Sequence, residues 1–376
     1  MSTTPRASIT LDQILSHTPE HPVPAAGDAV ELDYAALPGS VAVQVVTGEN
    51  GFGLMTVTVG SDVYDYSVGV SRRALVRMAG FDAEKPDGLA QATEKLGAET
   101  FAHNLDVLVY QRLVALAELR TGILPFGAMH RASAFEPVDD GAAYRFRSRF
   151  ALRPKGELSS YDPVEVAFPA KPEASEEQID AILARAMGGQ LSWDMVPEEA
   201  RPGLERLRGM AREQADRENE MLWRNQVADV CAAALSTRLV EPVPERFVNA
   251  LREDIANAFA ANVEKSGTTW KDYTAQPEFD TEEFKAQMTQ NARDSLAQGL
   301  ALDLVAAHEG IRLDADDVYA SVAPMSQGHG AEAVQGLIEN GQLPQVLEVA
   351  LRAKTSGWVA EHAHDLNGTD IAADNA

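Results

Sequence analysis

Hydrophobic residues alternate with polar ones in VAVQVV (41–46) and again in LMTVTV (54–59), the two-residue period of half-buried strands. TGENGFG lies between them and reads as a hairpin connection. From residue 61 the period lengthens: Val63, Val68, Val70 and Leu75 fall at helical spacing, with Ser61 or Asp62 as the cap. A polar turn at 80–88 follows, MAGFDAEKPDG in its setting. A second helix then runs through AETFAHNLDVLVYQRLVALAELR, with Phe101, Leu105, Leu108, Val109, Leu113 and Leu116 as its buried stripe. AAYRFRSRFAL (142–152) returns to alternation. Tyr144, Phe146, Phe150 and Leu152 face one way; Arg145, Arg147 and Arg149 face the other. The arginine row reads as a solvated face, with a local anion contact as the alternative. Residues 41–152 are therefore expected to form a small α+β domain with one covered sheet face.

Residues 1–40 are rich in Pro, Thr and small side chains and read as a flexible extension. Residues 153–196 form a linker that holds the extended piece PVEVAF and a short helix at 176–187, opened by the capping-box pattern Ser175 to Gln178. From 197 to 364 the pattern is almost entirely helical, and 365–376 is a polar tail. One long helix, or two in series, ends near the break at PVP. The next, at 244–265, places Phe247, Leu251, Ile255, Phe259 and Val263 on one face. A third opens at Asp280 with Phe284, Met288, Ala292, Leu296, Leu300 and Leu304 as its stripe, and shorter helices follow at 315–322, 330–339 and 343–364. The fold class is α+β: a small N-terminal domain, then an elongated helical region with projecting arms. Long helices with narrow apolar stripes are expected to leave part of those stripes in water, and exposed apolar surface marks a protein-binding site. Met210, Met221, Leu222, Trp223, Met288 and Met325 are soft or large side chains suited to varied partners, although residues of this kind at helical spacing are more often core.

Charge narrows the function classes. The formal net charge of −25 over 376 residues repels a nucleic-acid backbone at long range and argues against a broad RNA-binding face. The single cysteine, Cys231, excludes an internal disulfide framework and reads as a small buried hydrophobe. No apolar run approaches the ~20 residues of a spanning helix, and the N-terminus lacks a signal-like core, so a cytoplasmic protein with no membrane partner is expected. No phosphate-binding loop, dinucleotide fingerprint, zinc pattern or nucleophile elbow occurs. His362 and His364 stand two apart, which is poor geometry for a chelate on a helix, and His308-Glu309 suits a helix end. No catalytic residue, metal or cofactor is expected.

The order of these parts resembles trigger factor, the bacterial ribosome-associated chaperone, over about Val41 to Ala363. VAVQVVTGENGFGLMTVTV is similar to the opening hairpin of that family, and MAGFDAEKPDGLAQATEKLG to its ribosome-docking loop and following helix. GILPFG and YRFRSRFALRPKGELSSYDPVEV resemble the exit from that domain, and EPVPERFVNALREDI the family's VPEALIE helix start. The resemblance implies an ATP-independent chaperone that holds unfolded or nascent polypeptides in a helical cradle. Met221, Leu222, Trp223, Phe247, Leu251, Phe259, Phe284 and Met288 are its candidate contacts.

Two departures qualify that implication. The family inserts a prolyl-isomerase domain before the arms, and the interval from Met187 to Pro197 is too short for one, so isomerase activity is expected to be missing. The family's docking loop reads G-F-R-x-G-K-x-P. Here Gly80 and Phe81 match, Asp82 replaces the arginine, Ala83 and Glu84 follow, and only Lys85 and Pro86 retain the rest. Ribosome docking is therefore expected to be weakened or altered, with Arg145, Arg147 and Arg149 as a further anion contact. The alternative is a helical scaffold protein with one dedicated partner; a homodimer is left open.

Overall fold

The alternating segments pair as their period requires. A computed structural model describes residues 10–17, 29–37, 41–123, 125–186, 201–276, 279–326 and 329–368. Strands β1 (Glu31–Leu37), β2 (Val41–Thr47) and β3 (Phe52–Gly60) form an antiparallel meander, and β6 (Ala143–Ala151) pairs antiparallel with β3. β4 (Phe126–Arg131) and β5 (Glu136–Val138) pair with opposite halves of the far side of β6. Register sets Val57 opposite Phe146 and Met55 opposite Ser148, so one face of the sheet is largely apolar and buried. Helices α2 (Ser61–Met78), α3 (Gly88–Leu96) and α4 (Ala98–Thr121) lie in the same part of the chain. Val109, Leu113, Leu116 and Ala117 of α4 join Val43, Val45, Met55, Val57, Val59, Phe146 and Phe150 in one core. Its internal polar pair is satisfied, with Tyr110 and Ser148 sharing a 3.0 Å hydrogen bond.

Two local expectations are corrected here. α2 is capped by the extended backbone of Gly60 without a side-chain bond; Ser61 already lies inside the helix, and Asp62 acts only as an acid in its first turn. Part of the segment expected to be a flexible extension is ordered: β1 adds an edge strand whose Tyr34 enters the core, and the short helix α1 (Leu11–Leu15) docks through Leu11. A capping box at Thr10 and Gln13 closes the first turn of α1.

The remaining elements are α5 (Glu176–Ala186), α6 (Arg201–Ser236), α7 (Glu245–Lys265), α8 (Trp270–Thr274), α9 (Thr281–Glu309), α10 (Ala315–Ser326), α11 (Gly330–Glu339) and α12 (Leu343–His362), with β7 (Glu165–Val166) and β8 (His364–Asp365) as a parallel pair. α6 is one continuous helix, and Asp280 caps α9 by accepting from the amides of Glu282 and Glu283 at 2.8 and 3.0 Å. The compact units do not follow chain order. The first comprises residues 1–156, 242–296 and 310–352; the second comprises 157–241, 297–309 and 353–376. Within the first, Phe247 of α7 meets Phe126 of β4 edge-on at 4.4 Å, and Arg112 of α4 donates to the Glu339 carbonyl at 2.5 Å. Helices read from sequence as part of a separate C-terminal domain thus share a unit with the sheet.

The second unit has its own core. Trp223, Val227, Cys231 and Leu235 recur every fourth residue on α6 and pack with Ala301, Leu302 and Val305 of α9 and Val359 and Ala360 of α12. Leu158, Val164, Val166 and Phe168, from the segment around β7, close it. α5 lies on the earlier part of α6, where Ile179, Ile182 and Leu183 cover Ala211 and Ala215. Burial pushes the Cys231 thiol up to about 11, in line with its role as a packed hydrophobe.

Candidate interaction surfaces

The tip at 80–88 is a self-contained turn. Gly80 takes the left-handed φ of +88° that ends α2, a conformation open to glycine. Phe81 folds back, half-buried, onto a small cluster with Leu75, Val76, Ala92 and Phe101. Lys95 sits 5.5 Å from its ring centroid while donating to the Ala79 carbonyl at 2.8 Å. The chain itself therefore supplies the slot that Phe81 needs. Asp82 is exposed, and its carboxylate accepts from the Glu84 amide at 3.0 Å, the Asx turn that shapes the loop. Ala83 is half-buried in the same cluster, while Glu84, Lys85 and Pro86 point to water. Glu84 pairs with Arg77 at 3.2 Å. Gly88 is buried, and a Cβ there would fall 2.1 Å from the Asp82 carbonyl oxygen, so the turn requires glycine.

Arg145, Arg147 and Arg149 stand on the outer sheet face, all exposed. Across β3 they face Thr58, Thr56 and Leu54; on the other side Glu136 lies opposite Arg145 and His130 opposite Arg149. Leu54 and Val46 leave exposed apolar surface beside the row.

The candidate contacts on the helices separate by burial. Trp223 is 2 % exposed and its indole donates to the Pro169 carbonyl at 2.8 Å; Phe247 is 3 % exposed against Phe126. Both serve the cores and present no surface, which corrects the expectation that they line a cradle. Leu251, Phe259, Phe284 and Met288 are half-buried. Met221 and Leu222 are open, at 59 % and 52 % exposure, and Met210 and Leu207 join them at 60 % and 44 %. Leu207, Met210 and Met221 share one face of α6. Among the described residues α6 carries more large exposed apolar side chains than any other element. The side chain of Met325 lies outside the described residues.

A second apolar feature was not foreseen. Phe259 of α7 and Phe284 of α9 meet at 5.3 Å, and Trp270, Tyr273 and Phe279 close around them at ring separations of 5.3 to 6.1 Å. All five rings remain half-buried. The segment TTWKDYTAQPEF that supplies three of them is too short to show a helical stripe; its density of aromatics, in a chain with only 6 %, was the signal available.

No helix among the described residues is long and apolar enough to cross a membrane. Residues 203–361 match the family model described as bacterial trigger factor protein C-terminus. Those residues resemble the C-terminal region of trigger factor. Trigger factor of Mycolicibacterium smegmatis is 25 % identical over 170 residues, 44 % of this chain and 36 % of that one. Trigger factor of Pelotomaculum thermopropionicum is 26 % identical over 145 residues, 38 % and 33 % of the two chains. The chain thus spans about a third of the length of the curated relatives it matches. A chain of a solved structure presented as "Promiscuous Substrate Recognition in Folding and Assembly Activities of the Trigger Factor Chaperone" covers 85 % of this chain and is itself 98 % covered, with 11 % identity and a TM-score of 0.35. The trigger factor match falls on α6 to α12, so it includes both the open face of α6 and the aromatic cluster.

Proposed function

We propose that the chain is an ATP-independent molecular chaperone of trigger-factor type that holds unfolded or nascent polypeptides in the cytoplasm. The observation that carries this reading is the row of large apolar side chains left open on α6, inside the region matched by the family. Apolar segments of a non-native chain gain by covering Leu207, Met210, Met221 and Leu222, and the flexible thioethers adapt to varied sequence. Each contact is shallow, which favours breadth and fast release over tight binding. Phe259, Phe284 and Met288, with Trp270, Tyr273 and Phe279, form a second holding surface.

The isomerase of the wider family is absent in this reading, because the interval 187–200 between α5 and α6 is too short for a folded domain. Docking on the ribosome is weakened. The tip presents the exposed carboxylates of Asp82, Glu84 and Asp87, and the Arg77 guanidinium is drawn to Glu84. Phosphate meets repulsion there, and the arginine row of β6 is the remaining place for an anion contact.

A photo-crosslinker in place of Met221 should capture a chemically unfolded client without nucleotide. The same probe in place of Val349, also exposed at 63 %, should capture far less. Equal capture at both positions contradicts a holding face on α6. Cosedimentation with ribosomes should be weak and lost at high salt; salt-resistant docking contradicts the proposed loss of grip at the tip.

A further inference from the structure

In the second unit the last turns of three helices meet. Leu235 of α6, His308 and Glu309 of α9, and Trp358 and His362 of α12 line one pocket of about 310 Å3, closed by the loop at Tyr161 and Asp162. Its floor is apolar, built from the buried Val164, Val305 and Val359. Two of its walls are ring pairs. Tyr161 stacks on His308 at 3.9 Å and 13°, and Trp358 stacks on His362 at 4.0 Å and 24°. His362 Nδ1 lies 2.8 Å from the Trp358 carbonyl oxygen, so Nδ1 is the protonated nitrogen that donates. That bond holds the second pair in place.

The electrostatics of the pocket favour one sign. Helix C-termini carry about half a negative charge each, and three of them end here. The carboxylates of Asp162 and Glu309 add two formal charges. Asp162 is held by the Ser160 hydroxyl at 2.7 Å, and Glu309 lies 3.7 Å from the His308 ring. The guanidinium of Arg238 donates to the carbonyls of Asp162 and Pro163 and offsets part of this field, leaving the two carboxylates and the three helix ends in excess. Aromatic faces attract cations in addition.

We propose that this pocket binds an organic cation with an aliphatic stem, and specifically an alkylguanidinium such as an arginine side chain. The stem lies on the valine floor, and the planar head lies along the Tyr161 and Trp358 walls and meets the carboxylates of Asp162 and Glu309. A guanidinium suits this better than an ammonium, because it stacks on rings and bonds carboxylates in a fork. A volume near the lower end of ligand pockets fits one such side chain. The pocket is separate from the open face of α6, and a small-molecule probe tests it whether or not the chain holds clients.

The probe is Nα-acetyl-arginine N-methylamide, compared with its citrulline analogue, which keeps the shape and loses the charge. Binding is read by calorimetry and by the indole signal of Trp358. The arginine probe should bind at least tenfold more tightly than the citrulline probe. In the variant carrying Asp162→Asn and Glu309→Gln that ratio should fall to within twofold, with an unchanged Tm to show that the fold is intact. A heptapeptide with a single central arginine separates the two sources of this chemistry. Binding as tight as the free probe assigns the pocket to polypeptide, and binding by the free probe alone assigns it to small cations. Equal binding of arginine and citrulline probes, a preference that survives the double variant, or no binding of the arginine probe at tens of millimolar overturns the proposal.

Discussion

Replacing Met210, Met221 and Leu222 together by serine should cripple client holding while leaving the fold alone. The three side chains are 60 %, 59 % and 52 % exposed, so rather more than half of each is still available to a partner. Full burial of such a side chain stabilises by about 1.5–3 kcal/mol. The open portion is then worth about 1–2 kcal/mol per residue, and the three together about 3–5 kcal/mol. The low end of that range corresponds to a weakening of roughly 100-fold. Clients that cover part of the row at a time should lose about tenfold. The assay is fluorescence anisotropy of a labelled unfolded polypeptide, with light scattering of an aggregating client alongside. Exposed substitutions of this kind change stability by about 0.5 kcal/mol or less, so Tm should not move. A variant with unchanged Tm that binds the polypeptide as tightly as the parent refutes the assignment of α6 as the holding face.

Other outcomes follow from buried groups and the tip. Burial raises the Glu118 carboxyl from 4.5 to about 7. Below pH 4.5 it is protonated in both states and costs nothing; as pH rises through 7 the folded state loses about 3 kcal/mol relative to the unfolded chain. Glu118→Gln should therefore raise Tm at pH 8 and leave it nearly unchanged at pH 4.5; a gain of equal size at both values contradicts the burial argument. Cys231, with its thiol pushed up to about 11, should resist a thiol-reactive disulfide at pH 8 in the native protein and react with one equivalent in denaturant. Gly88→Ala forces a methyl onto the Asp82 carbonyl and should cost about 1–3 kcal/mol, seen as faster hydrogen exchange at the amides of Lys85 and Gly88.

The elements that could be read from sequence are those long enough to show a period. β2, β3 and β6 alternate over a full strand, and the α4 stripe and the cap at Asp280 fall where pattern and capping chemistry place them. α1 has five residues and β1 lies among Pro and Ala, so neither shows a repeat that separates it from loop. Burial was harder to read than secondary structure. Trp223 and Met221 are two residues apart on α6, and only tertiary contact decides that the first meets Phe168 and Val227 while the second meets water. Phe247 looked like a groove residue because nothing local announces Phe126, more than a hundred residues earlier, as its partner. The discontinuous units have the same origin. Long-range packing places α7, α10 and α11 in the unit that contains the sheet, and helical periodicity is silent on that choice.

The most direct measurement is light scattering of a denatured client diluted into buffer with the intact chain and no nucleotide. Suppression should rise with chaperone concentration and approach completion near equal molar ratio. Aggregation that proceeds unchanged in a several-fold excess of the chain contradicts a holding role.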